Sequence, residues 1–80
     1  MSRTPRSFAV FGFQSTHYAL AAEDVLRDIG AEVVPIPAPS SLGGRCGIAL
    51  RVPELQAEMA LSEIKRNEIE PIRIILMDDV

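Results

Sequence analysis

Eighty residues, 48% of them hydrophobic and 24% charged, with net charge −3, one cysteine, one histidine and no tryptophan, leave room for one small domain and exclude a two-domain enzyme. A single cysteine excludes an internal disulfide and so a stapled secreted scaffold, and no apolar run approaches the roughly 20 residues of a membrane span. Low net charge and an isoelectric point near 5.0 argue against a broad electrostatic footprint for nucleic acid.

Residues 1–6 lack a following signal-peptide core and read as a flexible N-terminus before one domain at residues 7–80, in a cytoplasmic protein. A domain this small buries only about 60% of the surface its unfolded chain exposes, so a homodimer would help it. Residues 7–13 (SFAVFGF) are almost wholly apolar and predict a strand central in its sheet. Ser15 or Thr16 can cap the helix that follows, with Tyr18, Ala22, Val25 and Ile29 as its apolar stripe, Ala21 and Leu26 beside it, and Gly30 as its stop. Residues 31–36 predict a second strand, which Pro35, Pro37 and Pro39 assign to the sheet edge. Residues 39–45 form a turn by composition, and residues 47–52 alternate as a third strand, with Ile48, Leu50 and Val52 on one face. Pro53 suits the first position of a second helix running to about Arg66, whose stripe is Ala57, Ala60, Leu61 and Ile64. Leu55 and Met59 fall on the opposite side, either because the apolar face wraps far or because a partner binds there. Residues 72–77 predict the last strand, with Asp78 and Asp79 as an acidic tail.

The order strand, helix, strand, strand, helix, strand predicts an α+β fold: a ferredoxin-like βαββαβ sandwich, its antiparallel sheet ordered 4-1-3-2 with both helices on one face. That topology sets the start of the third strand beside the end of the first. It thereby joins positions about thirty apart: Gln14, Ser15, Thr16 and His17 on one side, Arg45, Cys46 and Gly47 on the other. A thiol is nucleophilic as its thiolate, and a helix N-terminus, a cation such as Arg45 or an imidazolium such as His17 favours that anion. Gly43, Gly44 and Gly47 would let backbone approach a bound group, with residues 43–45 offering amides to an anion.

Plainer readings stand beside these. A lone cysteine at a strand start also reads as a small buried hydrophobe, His17 as a surface residue, Ser15 and Thr16 as caps, and Arg51 as the polar face of its strand. One Cys and one His make half a metal site, no third residue evidently orients the imidazole, and Gly43-Gly44 leads into a strand where a phosphate loop leads into a helix. No metal or other cofactor is therefore expected, and the stacking aromatics of RNA-binding domains of this architecture are missing.

The run Phe13-Gln14-Ser15-Thr16-His17-Tyr18-Ala19-Leu20-Ala21-Ala22-Glu23, then Gly30, Pro35-Ile36-Pro37-Ala38-Pro39, Ser41 and Cys46-Gly47-Ile48-Ala49-Leu50-Arg51, resembles a family of small bacterial domains of unknown function described as selenium/sulfur carrier-like proteins. The resemblance covers roughly residues 8–77 and departs at Leu42-Gly43-Gly44-Arg45, which replaces a tighter Ser-rich turn. It implies that Cys46 is the carrier thiol, accepting sulfur or selenium and passing it to a transfer protein. The predicted strand order then sets Ser15, Thr16, Gly44, Arg45 and Gly47 around the anion. The alternatives are a non-catalytic ligand-binding or dimerising module, in which Cys46 is structural, and a redox sensor.

Overall fold

A computed structural model describes residues 7–42 and 46–78. Its elements are β1 (Ser7–Gly12), α1 (Thr16–Asp28), β2 (Val34–Pro37), β3 (Ile48–Pro53), α2 (Ala57–Arg66) and β4 (Arg73–Asp78), with short 3-10 turns at Ser40–Leu42 and Glu54–Gln56. The sheet is antiparallel throughout, in the order β2-β3-β1-β4. This is the predicted ferredoxin-like order. The expected flexible N-terminus at residues 1–6, the turn residues Gly43, Gly44 and Arg45, and Asp79 of the acidic tail lie outside the described residues.

β1 is apolar on both faces because both are covered. Ala9 and Phe11, with Phe13 beyond them, point into the main core beside Ala19, Ala22 and Leu26 of α1, Leu50 and Val52 of β3, and Ala60 and Ile64 of α2. Both helices therefore lie on one face. Val10 joins Ala49 and Leu42 in a smaller cluster on the other face, with Ile36, Ala38, Ile75 and Met77 packed against it. Gly12 makes that cluster possible, since a Cβ there would sit 3.2 Å from a Leu42 methyl. Arg51 belongs to this side of the sheet, its guanidinium 4.3 Å from the centre of the Phe8 ring.

Several sequence expectations shift. The buried stripe of α1 is Ala19, Ala22 and Leu26, with Ala21 and Val25 partly covered, while Tyr18 and Ile29 are exposed. Two alanines let the helix backbone sit close to the sheet, so the contact follows the small residues rather than the large ones. Pro53 ends β3 opposite Phe8, with φ −56° and ψ 144°, and α2 starts only at Ala57. A proline fits there because its fixed φ suits extended backbone as well as a first helical turn. Leu55 is 100% exposed and Met59 is exposed too, so the apolar face of α2 does not wrap to either.

Candidate functional site

Ser15 caps α1: its hydroxyl accepts from the Tyr18 N–H at 3.4 Å, which satisfies one of the donors orphaned at a helix start. Thr16 is then the first helical residue, and its side chain is free to face outward from the cap. The antiparallel pairing of β1 with β3, in which Gly12 lies opposite Ala49, brings this helix start to the residues preceding β3. The two meet at Thr16 and Cys46, where Oγ1 and Sγ are 3.7 Å apart.

The Cys46 thiol donates to the Ile48 carbonyl oxygen at 3.1 Å and accepts from the Ile48 N–H at 3.4 Å. The Thr16 hydroxyl and the thiol can each donate to the other, and when the sulfur is a thiolate the hydroxyl is the donor. Sγ thus has the Ile48 carbonyl, the Ile48 N–H and the Thr16 hydroxyl within reach. Cys46 is 6% exposed and its side chain belongs to the main core.

Of the other expected site residues, Gly47 is exposed and lies next to Cys46, with open space where a Cβ would stand, and its carbonyl accepts from the Ala38 N–H at 3.0 Å. The proline-rich end of β2 borders the site as expected: Pro35, Ile36 and Pro37 line an open apolar groove of about 330 Å³ together with Gly47 and Ile48. His17 is exposed and its ring stands edge-on to Tyr18, with centroids 5.6 Å apart. Gln14 turns to a separate hollow of about 150 Å³, shared with Tyr18, Glu68 and Glu70. The Ile48 backbone was not foreseen, because its bonds to sulfur depend on the dihedral angles of the turn and not on the type of side chain.

Among the described residues, no group of three His, Cys, Asp or Glu side chains is placed to hold a metal ion, and no helix is long and apolar enough to cross a membrane. No match was found among curated proteins or among solved structures. A family model described as "Putative Se/S carrier protein-like" matches residues 8–76, a span that includes every element from α1 to β3, Cys46 among them. The chain belongs to this family of Se/S carrier-like proteins.

Proposed function

We propose that this protein carries sulfur or selenium on Cys46 and delivers it to a partner protein in the cytoplasm, where reducing conditions keep a single thiol free. The observation that carries the reading is the environment of Sγ in a member of this family: a backbone N–H directed at the sulfur and a hydroxyl within reach of it, beside a helix start. The transfer needs no external oxidant. The Cys46 thiolate attacks the outer sulfur of a donor persulfide, the donor S–S bond breaks, and the donor leaves as a thiolate while Cys46 becomes the persulfide. The proton lost by Cys46 passes to solvent or to the departing thiolate. A thiolate of the partner then attacks the outer atom, and Cys46 leaves as thiolate in its turn. With selenium the carried species is a selenosulfide.

In this reading Ser15 fixes the helix start and Thr16 positions the sulfur. Gly47 leaves backbone accessible beside it, while Gly44 and Arg45 meet the anionic end of the load. His17, exposed one residue further along α1, is a proton acceptor at the rim. The apolar groove beside Gly47 and Ile48 is where the partner approaches. Incubating the protein with a small-molecule persulfide donor should load one sulfur atom, transferable to an added thiol, and Cys46→Ser should abolish both steps. Failure of the native protein to load would overturn the reading.

The burial of Cys46 in the main core favours a second reading, in which the thiol is structural and the domain is a binding module. Under that reading Cys46→Ser leaves partner binding and function in cells intact, whereas carriage predicts that function is lost.

A further inference from the structure

The two edges of the sheet are not equivalent. A ladder between β2 and β3 needs N–H donors from β2, and only Val34 and Ile36 can supply them, so the outer edge is the one that Pro35 and Pro37 strip of donors. That edge cannot accept another strand. β4, at the opposite edge, has no proline, and among the described residues no strand pairs with its outward N–H and C=O groups.

β4 also carries apolar side chains that the helix layer leaves uncovered. Ile74 and Leu76 lie opposite Phe11 and Ala9 of β1 and therefore share the face that the helices cover elsewhere. They are nevertheless 38% and 63% exposed, with Ile72 exposed just before the strand. Their neighbours on the reverse face, Ile75 and Met77, are the better buried pair. An open edge with an apolar flank is a feature that monomeric proteins normally block.

We infer that β4 is a dimer interface, where a second copy of this chain adds its own β4 antiparallel to form a continuous eight-stranded sheet. The strand is complementary to itself. With Ile75 on the two-fold axis, each Ile74 faces Leu76 of the other copy on the helix side. In this register Arg73 lies opposite Met77 of the other copy, so the basic start of each strand runs along the end of the other that carries Asp78, whereas parallel pairing would set the two Arg73 side by side. The contact of one strand and three apolar side chains is smaller than the roughly 800 Å² per partner of a standard interface, so the dimer is a reversible one whose population rises with concentration.

Sedimentation equilibrium of the full chain, in reductant and over a series of concentrations, tests this. The expected average mass rises from 8.7 kDa towards twice that value. Leu76→Lys and, separately, Ile74→Lys should weaken association at least tenfold while the folded circular dichroism spectrum is kept, since both side chains are already exposed. Cys46→Ser should dimerise like the native chain, which separates this contact from a disulfide and leaves it standing whether or not Cys46 carries sulfur. Amide exchange within residues 73–78 should slow as concentration rises. A monomer at every concentration, a dimer indifferent to both lysines, or β4 amides whose exchange ignores concentration would each overturn the inference. So would a monomer whose β4 pairs only with a strand of a different protein.

Discussion

Ser15 and Thr16 are adjacent and chemically alike, yet the structure divides their roles: one hydroxyl caps the helix and the other reaches sulfur. The division follows from geometry, since only the cap residue has extended backbone, φ −151°, from which a hydroxyl can turn back to the helix amides. Ser15→Ala is expected to cost about 1 kcal/mol, a fall in Tm of roughly 4–8 °C for a domain of this size, measurable by calorimetry. Thr16→Val keeps the shape and removes the hydroxyl. A hydrogen bond to sulfur strengthens as the thiolate forms, and losing about 1 kcal/mol of that added stabilisation should slow persulfide loading about fivefold. A loading rate equal to that of the native chain would remove Thr16 from the site. His17→Ala should slow loading less than Thr16→Val, because the imidazole packs on Tyr18 rather than on the sulfur. The meeting of Thr16 with Cys46 was legible in the sequence because strand order alone brings them together. The Ile48 amide was not, since any residue supplies the same backbone groups.

At the scale of elements, both helices end in the same way, though only one announces it. After α1 the Gly30 N–H bonds the Arg27 carbonyl and the Ala31 N–H bonds that of Leu26, with Gly30 at φ +79°. After α2 the Glu68 and Ile69 N–H groups bond Lys65 and Ile64 in the same pattern, but the left-handed position is held by Glu68 at φ 61°. The buried pair Ile64 and Ile69 closes this turn and outweighs the cost of a side chain in that conformation. Glu68→Gly should therefore stabilise the fold, by up to about 1 kcal/mol after the added freedom of the unfolded chain is counted. A lower denaturation midpoint in urea would contradict that account. The glycine made the first stop readable, and the second depends on tertiary packing that no local pattern carries. The same contrast explains α1, where the expected stripe keeps Ala22 but loses the large Tyr18 and Ile29 to Ala19 and Leu26.

The whole molecule is a thin sandwich, with extents of 42 × 28 × 15 Å. The strand order was legible because each strand has its own pattern: apolar throughout in β1, proline-bearing in β2, alternating in β3. The depth of Cys46 was not, because residue type cannot distinguish a thiol in a core from one at a surface. That depth gives the proposed chemistry its shape. A nearly buried sulfur with fixed donors can hold a reactive load away from chance encounter, and a chain this small leaves supply and delivery to other proteins. The measurement that tests this most directly is the intact mass, without reductant, of the protein as purified from its own cells. Carriage predicts a fraction heavier by one sulfur or one selenium atom, confined to Cys46, removed by thiol and absent from Cys46→Ser. An unmodified thiol, both as purified and after exposure to a persulfide donor, would contradict it.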